Sequence, residues 1–82
     1  MKLWIISQSV NNGYDTYDSA IVAAENKEEA RNILPGGGTW SDIYRRNYFS
    51  GWANKPSEVT VEYLGTTDRK ISGVILASFN AG

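Results

Sequence analysis

The chain has 82 residues, a formal net charge of −1, and neither cysteine nor histidine. A chain of this length forms one domain, residues 1–82. Without cysteine there is no disulfide framework and no thiol nucleophile. Without histidine the usual zinc ligands and the usual acid–base group at neutral pH are both missing. The near-neutral charge argues against duplex nucleic acid and membrane as partners, and no apolar run approaches the roughly 18 residues of a membrane span. We therefore expect a small cytoplasmic domain without a cofactor.

Two apolar runs near the start of the chain predict a β-hairpin. The first strand is Lys2 to Gln8, and its uninterrupted apolar centre is typical of a strand buried on both faces. The second strand runs from Tyr17 or Asp18 to Ala24. The loop between them, residues 11–19, reads NNGYDTYDS, and Gly13 with the asparagines supplies residues that tolerate positive φ.

That loop contains more aromatic and acidic side chains than a hairpin turn needs. Side chains with an aromatic face and a polar tip are typical of ligand and partner sites. We therefore predict a binding surface that includes Tyr14, Asp15, Tyr17 and Asp18.

A short helix is predicted over Lys27 to Leu34. Asn26 can cap it, Glu29 completes a capping-box pattern, and the Pro35-Gly36 pair ends it.

Residues 35–57 form an unusually long connection for so small a domain, and they hold half of the aromatic residues. Ser41 to Tyr48 is predicted as a short helix, with aromatic residues at i+4 spacing along one side. Aromatic faces stack on bases, and arginines make forked contacts to phosphate. A nucleotide-like ligand between two loops would be held by Tyr14 and Tyr17 together with Trp40, Tyr44, Arg45 and Arg46. The alternative is that the aromatic residues are core and the arginines are solvated charges.

The last two strands are predicted at Glu58 to Leu64 and Gly73 to Phe79. The third alternates apolar and polar residues, as expected of an edge strand, while the fourth is continuously apolar. The fold class is therefore α+β, a small ββαββ sandwich with a mostly antiparallel four-stranded sheet, one short helix and a long aromatic loop. We expect the strand order 2-1-4-3, with the two most apolar strands central. Because one helix covers one sheet face, the other face needs either the aromatic loop or a second subunit, and we expect a homo-oligomer.

The residue types in this chain give little support for a catalytic site. Asp15 and Asp18 are a close carboxylate pair that acid–base or metal-assisted hydrolysis could use, but aspartate in turns more often caps backbone amides. The serines have no histidine to activate them. Gly36-Gly37-Gly38 lacks the Lys-Ser/Thr of a phosphate-binding loop. We expect a protein that is not an enzyme.

Two motifs carry a resemblance that covers nearly the whole chain. VNNGYDTYDSA, residues 10–20, and ASFNAG, residues 77–82, resemble those of a family of small uncharacterised bacterial and phage proteins. The resemblance brings no established activity. It implies a counter-defence role, either by sequestering a nucleotide-like signal molecule or by binding a host protein. The sequence leaves both partners open.

Overall fold

The computed structural model describes residues 1–11, 13–40 and 51–80, and it has the expected element order. The strands and the helix are β1 (Lys2–Ser7), β2 (Thr16–Ala24), α1 (Lys27–Asn32), β3 (Thr60–Thr66) and β4 (Gly73–Asn80). The four strands form one antiparallel sheet. The predicted α+β class is confirmed. The helix predicted over Ser41 to Tyr48 lies outside the described residues.

The strand order is β3-β1-β2-β4, so the expected order 2-1-4-3 is wrong. The fourth strand lies at an edge, and none of its residues is buried. The second strand takes the central place beside β1, where its small residues are packed in the core. Ala20, Val22 and Ala24 are all buried there. An apolar run alone did not distinguish these two strands.

One face of the sheet carries the core. Residues directly opposite in an antiparallel pair share a face, and the pairs Trp4–Val22 and Ile6–Ala20 both point inward. The helix contributes Ala30, and the connection to β3 contributes Trp40, Trp52, Ala53 and Val59. The described part of the aromatic loop therefore covers the same face as the helix.

The other face of the sheet, which we call the open face, is not covered by the described part of that loop. Its side chains include Ile5, Ile21 and Leu76, with Ser19 and Ser78 at one end. They line a shallow groove of about 340 Å³. Leu76 is 65% exposed.

The helix begins as predicted and ends two residues early. The Asn26 side chain accepts a hydrogen bond from the Glu29 amide at 2.8 Å. The Glu29 carboxylate reaches back to the amide of Glu25 at 3.0 Å, one residue before the cap. Among the described residues no helix is both long and apolar enough to span a membrane.

Candidate functional site: the β1–β2 loop

The β1–β2 loop, residues 8–11 and 13–15, is built around the side chain of Gln8. Its Oε1 accepts hydrogen bonds from the amides of Val10 at 3.0 Å and Asn11 at 2.8 Å. Its Nε2 donates to the carbonyl oxygens of Asn11 and Tyr17, each at 2.7 Å. Gln8 is buried, and its four partly buried bonds connect the two ends of the loop.

The turn itself has a different left-handed residue from the one expected. Asp15, not Gly13, has a positive φ, at 60°. Aspartate tolerates this region better than most residues do. The hydroxyl of Thr16 donates to the Gly13 carbonyl at 2.7 Å and closes the turn.

The end of β4 clamps the same turn. The Asn80 Nδ2 donates to the Gly13 carbonyl at 3.0 Å, and the Asn80 carbonyl accepts from the Asp15 amide at 2.6 Å. One residue earlier, the Phe79 ring lies 4.8 Å from the Tyr17 ring, tilted by 59°. The described residues of the two resemblance motifs, 10–11, 13–20 and 77–80, thus form one structural unit.

A third support comes from the residues before β3. The Gly51 carbonyl accepts from the Tyr17 amide at 2.8 Å, and the Trp52 carbonyl accepts from the Asn11 side chain at 3.0 Å. Gly51 has a φ of 71°, and a Cβ placed there would lie 2.8 Å from the Asp15 carbonyl oxygen. Only glycine fits this approach without a shift of the backbone.

The most exposed side chains on this supported loop make no contribution to holding it. Tyr14 is 79% exposed. Among the described residues, neither the Asp15 nor the Asp18 carboxylate accepts a hydrogen bond or joins an ion pair. The expected amide-capping role of the two aspartates is therefore wrong, because Gln8 and the residues described above satisfy the backbone instead.

The remaining predicted site residues do not lie together on this surface. Tyr17 is half-buried between Phe79 and the turn at Gly36. Trp40 is 3% exposed and belongs to the core, where its Nε1 donates to the Arg31 carbonyl at 3.1 Å. The others, Tyr44, Arg45 and Arg46, lie outside the described residues.

A cleft of about 450 Å³ lies between the turn after α1 and the start of β4. It is lined by residues 33–39 and by Ser72, Gly73 and Val74. None of these side chains is charged, so the described lining offers no cation to a phosphate group. Its chemistry suits an uncharged group.

Sequence reasoning missed the residues that shape the loop. Asn80 had a signal, since it lies in a motif that was singled out, but the motif did not say what it contacts. Gln8 and Gly51 had none, because their roles depend on contacts with distant parts of the chain. In the described part of the chain, no cluster of three or more acidic residues could hold a metal ion.

The fold and this loop define a small two-layer α+β protein with a braced surface loop. Comparisons of the chain with protein-family models, with curated proteins and with solved structures found no match. The resemblance to bacterial and phage proteins stays a prediction.

Proposed function

We propose that this chain is a non-enzymatic binding protein whose β1–β2 loop docks a protein partner. One observation carries the proposal. The loop is held from three directions, by Gln8, by Asn80 and by the Gly51–Trp52 backbone. The side chains of Tyr14 and Asp15 on the loop, and of Asp18 on the adjoining strand β2, have no partner within the described chain. These hydrogen bonds hold the backbone positions from which the exposed side chains project.

Fixed positions favour binding because less conformational entropy is lost on association. Tyrosine is suited to such a place, since it offers a large contact area with few rotatable bonds and a polar tip. A loop that only connected two strands would need neither the brace from β4 nor an aromatic residue exposed at its turn.

The partner's chemistry follows from the charge of the loop. Asp15, the chain neighbour of Tyr14, and Asp18, near the start of β2, are exposed acidic residues, and among the described residues neither joins an ion pair. Opposite charges across an interface speed encounter and fix orientation. The complementary surface is basic, with an apolar depression for the tyrosine ring. The resemblance adds the proposal that this partner is a host protein in the cytoplasm, bound in a counter-defence role.

Pull-down from bacterial lysate with matched variants tests the proposal. Tyr14→Ala, and the double variant Asp15→Asn with Asp18→Asn, should each lose the proteins that the unaltered chain retains. Asp68→Asn is the control, since Asp68 is an exposed aspartate away from the loop. The melting temperature of each variant should stay within about 3 °C of the parent, because exposed substitutions change stability by less than about 0.5 kcal/mol. Retention of the same proteins by all variants would refute docking through the loop.

A small nucleotide-like ligand is the second candidate, and the cleft beside β4 favours it. Gly36 lies in the wall of the cleft, and a Cβ placed there would lie 3.4 Å from the Tyr17 hydroxyl, whose ring forms an aromatic pair with Phe79. The uncharged lining suits a base better than a phosphate. Native mass spectrometry before and after denaturing extraction tests this candidate. A released species of nucleoside or nucleotide mass that disappears in Tyr17→Ala supports it, whereas a bound species that survives Tyr17→Ala contradicts it.

A further inference from the structure

The two edges of the sheet differ in a way that bears on self-association. At one edge, β3 carries Glu62 at its centre and an irregular register at Leu64. Charges and bulges are what proteins use to prevent edge strands from pairing with other chains. That edge is guarded.

The opposite edge has no such charge. β4 reads GVILASFN, eight residues without a charged side chain or a proline, and of the described strands only β2 pairs with it. Ile75, Leu76 and Phe79 on it are large apolar residues exposed to solvent. An edge strand without charge or proline and with exposed apolar side chains is a template for another strand.

The regular part of β4 limits how a second strand can pair with it. The register between β4 and β2 shifts twice, once at Ile75 of β4 and once at Asp18 of β2. The extra residue of the second shift is on β2, so β4 itself has no inserted residue from Leu76 to Asn80. Within this stretch Ala77 lies on the core side of the sheet and Leu76 and Ser78 lie on the open face. If two copies are related by a two-fold axis normal to the sheet, their core faces lie on the same side of the joined sheet. Residues that oppose each other across the two β4 strands must therefore belong to the same face.

We propose that β4 pairs antiparallel with β4 of a second copy of this chain, with Ser78 opposite Ser78. This register places Ala77 opposite Phe79 of the second copy, and the reverse, so that a small residue meets a large, 48% exposed one at two symmetric positions. The neutral strand meets no like charge in its copy. Of the two edges, only this one allows that approach, because a second β3 would bring Glu62 towards Glu62. The pairing is independent of what the β1–β2 loop binds, and failure of the loop to bind a partner leaves it standing.

The absence of cysteine makes the register directly measurable. Directly opposed residues of an antiparallel pair have Cβ atoms about 4.5–5.5 Å apart, close to the separation that a disulfide needs. Ser78→Cys should therefore form a disulfide-linked dimer under mild oxidation. Glu62→Cys, at the centre of the guarded edge, is the matched control and should stay largely monomeric. Equal or slower cross-linking of Ser78→Cys would overturn the proposal.

Sedimentation across a range of protein concentrations supplies the second test. The unaltered chain should show a concentration-dependent monomer–dimer equilibrium, and Ser78→Lys should shift it to monomer by placing two like charges face to face. The melting temperature of the diluted monomer should not change, because Ser78 is exposed. A chain that stays monomeric at every concentration, or a dimer that persists in Ser78→Lys, would contradict pairing through β4.

Discussion

Replacing Gln8 by alanine tests the statement that one side chain holds the β1–β2 loop. The change removes four hydrogen bonds to the amides of Val10 and Asn11 and to the carbonyls of Asn11 and Tyr17. At about 0.5–1.5 kcal/mol net for each bond, the sum is about 2–6 kcal/mol. Val10 is exposed and Asn11 is half-exposed, so water replaces part of the loss. We expect Gln8→Ala to lower the free energy of unfolding by about 2–3 kcal/mol.

Chemical and thermal denaturation measure this loss. In a domain of this size, about 2–3 kcal/mol corresponds to a fall in melting temperature of roughly 10–20 °C. Ser9→Ala is the matched control, because Ser9 is the exposed neighbour and has no hydrogen bond. It should change the free energy by less than about 0.5 kcal/mol. A loss below about 1 kcal/mol in Gln8→Ala, with an unchanged denaturant slope, would show that the loop holds its shape without this side chain.

The near-isosteric change Gln8→Glu separates hydrogen bonding from packing. The introduced carboxylate keeps the acceptors but faces two carbonyl oxygens where the amide donated. Burial and this repulsion should raise its pKa in the folded state above the unfolded value of about 4.3. Because the pKa of the introduced carboxyl group is higher in the folded state, its contribution to stability is most favourable below about pH 4. That contribution is lost as the pH rises through the folded pKa. Relative to the parent, Gln8→Glu should therefore be closer in stability at pH 4 than at pH 7, and the same deficit at both values would argue against this geometry.

Two further comparisons use matched pairs within the chain. Gly51→Ala should lower the free energy of unfolding by more than about 2 kcal/mol, and by more than Gly37→Ala does. Both glycines have positive φ, but the new Cβ would meet the Asp15 carbonyl oxygen at Gly51 and nothing at Gly37. Equal losses of stability in denaturation experiments would remove steric contact as the cause. Trp40→Phe should lower the free energy of unfolding by about 1 kcal/mol more than Trp52→Phe. Both rings are buried, but the Trp40 Nε1 donates a hydrogen bond whereas the Trp52 Nε1 has no partner to lose. The opposite order would mean that the cavity left by the smaller ring outweighs the hydrogen bond.

Local signals predicted the local structure well. Asn26 and Glu29 indicated the start of the helix, because a capping pattern depends on residues three apart. The alternation of β3 indicated a half-exposed strand, and β3 is an edge strand. Strand order was beyond the sequence, since the apolar run of β4 resembles a buried strand. The central strand is instead β2, whose small residues Ala20 and Ala24 are buried in the core and give only a weak hydrophobic signal in the sequence.

The candidate site was predicted in part, for a related reason. Tyr14, Asp15 and Asp18 were predicted as site residues because their residue types exceed what a turn needs, and the structure shows that all three are exposed. Trp40 was assigned to the same site because aromatic residues look alike in sequence whether they bind or pack. The brace around the loop was not foreseen, since each of its hydrogen bonds to Asn80 or Gly51 joins segments far apart in the chain.

The hydrogen bonds from Asn80 to the β1–β2 loop also affect the order in which parts of the chain fold. The β1–β2 hairpin is local and can close early, but the bond from Asn80 to Gly13 spans 67 positions and must wait for β4 to dock. Contacts between residues so far apart in the chain form late, because closing a long stretch of chain loses conformational entropy before the contacts form that offset the loss. An incompletely folded chain therefore carries Tyr14 on a loose loop and should bind weakly. Under the proposed docking role, tight binding by this loop would report that folding is complete.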